Sequence, residues 1–160
     1  MKSKILKLSL IMCSWLLASS AVHAGFDLTR MTTVVDDLSG SYTVSKNGRL
    51  EEMQFTGTSL TEFNQFHPRH EAPEAYIDGV ISKVISRGNG SINTVSDGAF
   101  QVLSASGEWD VSFTGLQVNA NEQGVELTGE VTVNGESFDA AKLPEGLAIM
   151  LRRVFWLTRR

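Results

Sequence analysis

Two histidines in one short segment are the residues of this sequence best suited to chemistry. Residues 63–76 read FNQFHPRHEAPEAY, with His67 and His70 three positions apart and Glu71 directly after them. Zinc and copper accept imidazole and carboxylate ligands, so this trio is a weak candidate metal site. A metal-dependent hydrolase that uses His67 and His70 is the most remote of the functions that the sequence allows.

The same segment has a simpler interpretation as an exposed connection. Pro68 prevents a regular helix through the two histidines, and Pro68 and Pro73 bracket a loop. The sequence also lacks a nucleophile elbow, a phosphate loop and a dinucleotide fingerprint. We therefore expect no bound metal, no cofactor and no catalytic residue, and we expect Phe63 and Phe66 to anchor the loop to the core.

The first 24 residues predict a secretory signal peptide. Three lysines precede an apolar run at residues 8–18, and Val22 and Ala24 fit the positions that signal peptidase reads. The run is too short to cross a membrane. We expect cleavage after Ala24, a periplasmic or secreted location, and a single domain formed by residues 25–160.

The expected mature chain is acidic and free of cysteine. Without the three leader lysines it carries 11 basic and 18 acidic residues, a formal charge of −7. This balance argues against general nucleic-acid binding, whose affinity comes from neutralising phosphates, and we expect no nucleic-acid partner. Cys13 lies in the leader, and the bulky Met12 before it disfavours lipid attachment. The domain must therefore be stable without disulfides.

An Asn-Gly pair predicts a hairpin in the first half of the mature chain. Asn47 and Gly48 tolerate the positive φ angles of a type I′ turn, and they separate two segments in which apolar and polar residues alternate. A two-residue turn at this point would place Tyr42 opposite Met53.

The second half contains a clearer hairpin. Residues 124–135, GVELTGEVTVNG, alternate between apolar and polar side chains and end in an Asn-Gly turn that places Phe138 opposite Val131. This stretch resembles the late-strand hairpin of the YceI-like periplasmic proteins, which form a lipocalin-like barrel for isoprenoid-type lipids. The likeness is confined to this hairpin, and it implies a carrier of an apolar ligand.

A spacing of four residues between apolar pairs predicts a central helix at about residues 73–87. Pro73 suits the first helical turn, and Gly88 suits the position after the last. The pairs are Tyr76-Ile77, Val80-Ile81 and Val84-Ile85. We expect this apolar stripe to pack against the sheet as part of the core.

A second amphipathic helix is predicted at about residues 145–158. Its apolar stripe consists of Leu147, Met150, Leu151, Val154 and Leu157. Beside the stripe lie the residues suited to a membrane or partner surface, which are Arg152, Arg153, Trp156, Arg159 and Arg160. The helix either docks on the sheet, which we favour, or makes peripheral contact with an anionic membrane, since tryptophan and arginine suit anionic lipid.

These patterns predict an α+β fold with a curved, mostly antiparallel and partly barrel-like sheet of about six to eight strands, packed with the two helices. The apolar face changes parity after Gly115, from Phe113 to Leu116, which predicts a bulge. We expect an exported, non-catalytic binding or interaction domain of the cell envelope, whose partner is an envelope protein or an amphiphilic small molecule. A lipocalin-like carrier of an apolar or lipid-like ligand is the alternative.

Overall fold

Nine antiparallel strands and one C-terminal helix make up the described part of the chain, residues 25–68, 74–105, 107–122 and 124–159 of the computed structural model. The strands are β1 (Phe26–Val35), β2 (Ser41–Glu51), β3 (Gln54–Phe66), β4 (Tyr76–Gly88), β5 (Ser91–Ser104), β6 (Gly107–Asn121), β7 (Gly124–Thr128), β8 (Glu130–Val133) and β9 (Glu136–Asp139). A short 3-10 helix, Ala140–Lys142, leads to the helix α1, Glu145–Leu157.

The strands form one open sheet. β1 to β6 pair in chain order, and β6 then pairs with β7 along one part of its length and with β8 along another. Within the described residues no pairing joins β1 to β9, so the sheet does not close into a barrel. The sheet-dominated α+β class is thus confirmed, with nine strands instead of the six to eight expected.

Strand pairing aligns the side chains in five rows that cross one face of the sheet, called here the helix-side face. Paired residues in antiparallel strands point to the same face, and alternate residues along a strand share it. The first row contains Tyr42, Phe63, Phe100, Val111 and Val133, and the second contains Val44, Thr61, Ile81, Phe113 and Val131. The third, called the lysine row, contains Arg30, Lys46, Ser59, Lys83, Ser96 and Leu116.

The core lies between the first two rows and α1. Leu147, Leu151 and Val154 of the helix are buried in the same cluster as the side chains of these rows. Phe155 packs on Phe113, with ring centres 5.5 Å apart. Trp156 is 56% exposed on the other side of the helix. The predicted C-terminal helix and its docking stripe are therefore confirmed.

The predicted central helix is wrong, because residues 76–88 form strand β4. A spacing of four is a multiple of the strand period of two, so Ile77 and Ile81 share one face of a strand as readily as of a helix. The β-branched residues of the segment favour a strand. Gly79 has a φ of 131°, which no helix allows. The expected start at Pro73 lies outside the described residues.

The first predicted hairpin turn is also wrong. Asn47 and Gly48 lie inside β2, and the chain turns instead at Glu52 and Met53, whose φ angles are 48° and 63°. Turning later lets β2 and β3 pair over eleven residues, and Tyr42 consequently faces Phe63 instead of Met53. Longer pairing satisfies more backbone groups than the shorter hairpin would.

The second hairpin and the bulge are confirmed. Asn134 and Gly135 have φ angles of 50° and 81°, and Val131 pairs with Phe138. Gly115 has a φ of 65°, and the register between β5 and β6 shifts there, as the change of parity requires. The backbone N–H of Gly115 donates to Asp97 Oδ1 at 2.7 Å, which holds the bulge against β5.

Candidate functional site

The lysine row is the most unusual feature of the helix-side face. Lys46 pairs with Ser59, Ser59 with Lys83, and Lys83 with Ser96, so two lysines and two serines alternate across four strands. The neighbouring second row is largely apolar and fully buried. Lysine is almost never fully buried unless it is paired, and both of these lysines are half-buried at the border of the apolar core.

Lys83 is held under the end of α1. Its ammonium donates to the hydroxyl of Thr158 and lies 4.8 Å from the centre of the Phe155 ring. Thr158 in turn donates to the carbonyl of Phe155 at 2.7 Å, which caps the helix. Burial, together with the smaller effects of the charges of Arg159 and Lys46, lowers the pKa of Lys83 to about 8.

Three more cations accompany Lys83. Lys46 Nζ donates to the backbone carbonyl of Arg159 at 2.6 Å, and Arg30 lies directly opposite Lys46 on β1. Burial and the charge of Arg30 lower the pKa of Lys46. We call Arg30, Lys46, Lys83 and Arg159 the basic cluster. Within the described residues, no carboxylate lies within ion-pair distance of any of the four.

Unpartnered hydroxyls surround Lys83. Ser59 and Ser96 are 3% and 0% exposed, and neither Oγ has a hydrogen-bond partner among the described residues. The same holds for Thr61 Oγ1 in the second row and for the Tyr42 hydroxyl in the first. Buried polar groups are normally hydrogen-bonded. The lysine row therefore combines positive charge with unused hydrogen-bonding capacity.

Beyond the lysine row the helix-side face continues for two further rows that α1 does not bury. We call the apolar side chains of these rows the open apolar face. They are Phe26, Leu28, Leu50, Phe55, Ile85, Ile92, Val118 and Leu127, and all are exposed or half-buried. Since two residues of a strand span roughly 7 Å, these rows extend the face by roughly 14 Å.

Two glycines make room on the open apolar face. Gly48 and Gly57 pair across β2 and β3, and the Phe55 ring lies over both. A Cβ atom would fall 2.5 Å from the ring at Gly48 and 2.7 Å at Gly57, so a larger residue would displace Phe55. The absence of side chains at these positions leaves the space that the Phe55 ring occupies.

Charge is segregated between the two faces of the sheet. At the helix-side positions of the third to fifth rows, the charged side chains within the described residues are Arg30, Lys46, Lys83 and Arg87. The strand carboxylates at the same level, Asp27, Glu51 and Asp97, alternate to the outer face. In the described part of this acidic protein, the third to fifth rows thus combine apolar side chains with positively charged ones.

A groove of about 540 Å³ lies at the same end of the sheet. It touches Leu28, Gly48 and Gly57 of the helix-side face, but most of its lining comes from outer-face residues, namely Asp27, Thr29, Asn47, Arg49, Thr56, Thr58 and Val84. It contains none of the lysine row. The groove therefore does not define the candidate site, which consists of the lysine row and the open apolar face.

His67 lies apart from the lysine row and has a carboxylate partner. Its Nδ1 is 3.1 Å from Asp36 Oδ2, and its backbone N–H donates to the same oxygen at 2.6 Å. Burial alone would raise the pKa of Asp36, but backbone hydrogen bonds from His67, Leu38 and Gly40 and the contact with the His67 ring lower it to about 2. The pair ties the end of β3 to the loop after β1.

The other predicted site residues are dispersed. His70, Glu71 and Arg160 lie outside the described residues. Within those that are described, no three potential metal-ligating side chains come together. Arg152 and Arg153 are exposed on the side of α1 away from the sheet, as is Trp156. Arg159, a member of the basic cluster, follows the helix, and its backbone carbonyl accepts from Lys46. Phe63 and Phe66 are buried against Tyr42, as predicted.

Sequence reasoning missed the lysine row and the Asp36 partner of His67. The row becomes visible only when residues 76–88 are treated as a strand, because Lys83 then falls between Ile81 and Ile85 on an apolar face. Asp36 and His67 are 31 positions apart, and no local pattern connects them.

No helix in the described part of the chain has both the length and the hydropathy needed to cross a membrane. Comparison with known proteins gives no match: no family model, no curated protein and no solved structure is significantly similar to this chain.

Proposed function

We propose that this protein is an exported, non-catalytic carrier of an amphiphilic, lipid-like small molecule, whose apolar part lies on the open apolar face. The open sheet, half covered by α1, would then serve as a partial barrel with one uncovered end. Export rests on the predicted leader, residues 1–24, which lie outside the described residues.

The observation that carries the proposal is the open apolar face itself. Exposed apolar patches of this kind mark ligand or interaction sites more often than chance. Phe26 and Leu28 remain 67% and 51% exposed although both belong to a face that is buried in its other half. Covering such side chains is favourable by about 25 cal/mol per Å² of apolar surface removed from water.

The test compares two neighbouring substitutions on β4. Ile85 lies on the open apolar face, whereas Val84 lies on the outer face and is 58% exposed. Binding of a fluorescent fatty-chain probe is titrated for wild type, Ile85→Asp and Val84→Asp. We expect Ile85→Asp to weaken binding at least tenfold, which corresponds to about 1.4 kcal/mol, while Val84→Asp stays close to wild type.

A second variant is needed because Ile85→Asp could weaken probe binding by destabilising the fold. Leu28→Asp changes an exposed side chain of β1, so its effect on stability should be small. It should weaken the probe as Ile85→Asp does. Equal affinities for wild type, Leu28→Asp and Ile85→Asp, or no probe binding by wild type, would contradict the proposal.

The edge strand β1 favours a second candidate, an interaction domain for an envelope protein. Among the described strands β1 pairs with β2 alone, and it presents Met31 and Val35, which are 70% and 67% exposed on the outer face. An open edge of this kind accepts an added strand from a partner. Met31→Lys should then abolish capture of a specific envelope protein in crosslinking experiments and leave binding of the fatty-chain probe unchanged.

A further inference from the structure

The basic cluster is the part of the helix-side face that a purely apolar ligand does not explain. Lys46 and Lys83 lie at the boundary between the packed core and the open apolar face, one row away from Leu28 and Ile85. One end of a ligand that covers the open apolar face would therefore lie at these two ammonium groups.

We infer that the basic cluster is the head-group subsite of the proposed carrier, and that it selects an amphiphile whose head is an anionic oxyacid: a carboxylate, a sulfate or a phosphate monoester. The inference rests on the proposed function, because it assigns the polar end of the same ligand.

The hydrogen-bonding inventory supports an oxygen-rich anion. Each lysine ammonium has three N–H donors. Lys83 directs one to Thr158 Oγ1, and Lys46 directs one to the carbonyl of Arg159. The hydroxyls of Ser59 and Ser96, which flank Lys83 in the row, have no partner among the described residues and can donate as well. Charge-assisted bonds from such groups to an oxyanion are the stronger kind of protein hydrogen bond.

The charge distribution gives the sign of the head group. Like charges in a partly buried place repel one another, and a bound anion removes that repulsion. No carboxylate occupies a helix-side position of the third to fifth rows within the described residues, so nothing there competes with an anionic head. The mature chain is acidic as a whole, and the cluster is therefore a local exception that a neutral ligand would not require.

We place the access of the head group at the segment that follows α1, where Thr158 is only 2% exposed but Arg159 is exposed. The two oxygens that now accept from the lysines belong to Thr158 and Arg159, both beyond the last helical residue, Leu157. An anionic oxygen can replace them without disturbing Leu151 or Val154, which hold the helix in the core. The head would bind at the lysine row and the tail would extend over the fourth and fifth rows.

The experiment uses ligands that share one chain length. Decanoate, decyl phosphate and decanol are each used to displace the fluorescent fatty-chain probe at pH 7 and low ionic strength, below the concentrations at which they aggregate. We expect both anions to displace the probe at concentrations at least tenfold lower than decanol does. Inorganic phosphate, which has the head without the tail, should not displace it.

Matched variants locate the subsite. Lys83→Met and Lys46→Met should bring decanoate and decanol to within about twofold of each other, since each removes one of the two ammonium groups. Lys83→Arg keeps the charge and should keep the preference. Lys142→Met makes the same charge change at a lysine whose side chain is 83% exposed beside Asp139, and it should behave as wild type.

Three results would overturn the inference. Equal displacement by decanol and decanoate in wild type would show that the protein does not recognise the head group. This result would not contradict the carrier function. A preference that survives in both Lys83→Met and Lys46→Met would place the subsite elsewhere. Displacement of the probe by inorganic phosphate alone would show a site for free anions. Loss of probe binding itself is a different outcome, which contradicts the carrier function.

Discussion

The ammonium of Lys83 lies 4.8 Å from the centre of the Phe155 ring, and the hydroxyl that it binds, that of Thr158, is 75 positions away in the sequence. This one contact joins the middle of β4 to the end of α1. It also holds the most buried cation of the basic cluster in place. Changes at Lys83 should therefore alter stability and ligand preference in different directions, which makes the residue a useful probe.

Lys83→Met should stabilise the protein at neutral pH. Burial, Arg159 and Lys46 lower the pKa of Lys83 from 10.5 to about 8, so folding disfavours the charged form. That penalty is fully present below pH 8 and fades as the pH rises from 8 toward 10.5. At 1.36 kcal/mol per pKa unit, its removal is worth up to roughly 3 kcal/mol, less the lost contacts to Phe155 and Thr158.

Urea unfolding of wild type and Lys83→Met at pH 7 and at pH 10.5 measures the effect. The advantage of the variant at pH 7 should shrink at the higher pH. A variant that is less stable than wild type at pH 7, with a difference that does not depend on pH, would show that Lys83 is charged without penalty in the folded protein.

Ile81→Asp should unfold the protein, whereas Val80→Asp should change its stability by less than about 1 kcal/mol. Ile81 is fully buried under α1 and Val80 is 43% exposed on the outer face. A buried, unpaired carboxylate costs several kcal/mol against a total stability of about 5–15. Thermal unfolding, monitored by circular dichroism, compares the stability of the two variants. Equal shifts for the two neighbours would argue for a helix in this segment instead of a strand.

Leu151→Ala should destabilise the protein by about 2–5 kcal/mol, because it removes a buried side chain from the contact between α1 and the sheet. Ile149→Ala is the matched control on the same helix, since Ile149 is 40% exposed, while Leu151 is 4% exposed. Denaturant midpoints compare the two. If Leu151→Ala left the midpoint unchanged and wild type co-sedimented with anionic vesicles in a salt-sensitive way, α1 would be a membrane-surface element and not a docked helix.

Asp36→Ala should destabilise the protein above pH 4 by about 1 kcal/mol, a typical loss for a carboxylate that accepts from backbone N–H groups. The pKa of Asp36 is about 2 in the folded protein, below its ordinary 3.8, so its contribution is present above pH 3.8 and is lost as the pH falls toward 2. Melting temperatures from pH 7 to pH 2 test this, with the exposed Asp27→Ala as control. A difference in melting temperature between wild type and Asp36→Ala that stays constant from pH 7 to pH 2 would assign Asp36 a purely steric role.

The parts of the fold that follow from local pattern were predictable. The hairpin at Asn134 and Gly135 has the residues that its turn requires. The change of parity of the apolar positions after Gly115 predicts the bulge. The C-terminal helix has an apolar stripe that no strand would produce, since Leu147, Leu151 and Val154 would not share one strand face.

The errors arose where one pattern fits two structures. Ile77, Ile81 and Ile85 are spaced by four, which satisfies both a helix and a strand, and β3 and β5 on either side decide in favour of the strand. Asn47 and Gly48 suit a turn, but the longer pairing of β2 with β3 outweighs that local preference. The candidate site depended on both decisions, because the lysine row exists only once β2 and β4 are in register.

The most direct test of the proposed carrier function is to purify the protein from its own host and to identify by mass spectrometry the small molecules that are extracted from it. We expect close to one molecule of an amphiphile with an anionic head per protein, and little or none in Leu28→Asp purified in parallel. An extract that contains no more amphiphile than that of an unrelated protein purified in the same way, or equal amounts from wild type and Leu28→Asp, would contradict the carrier function.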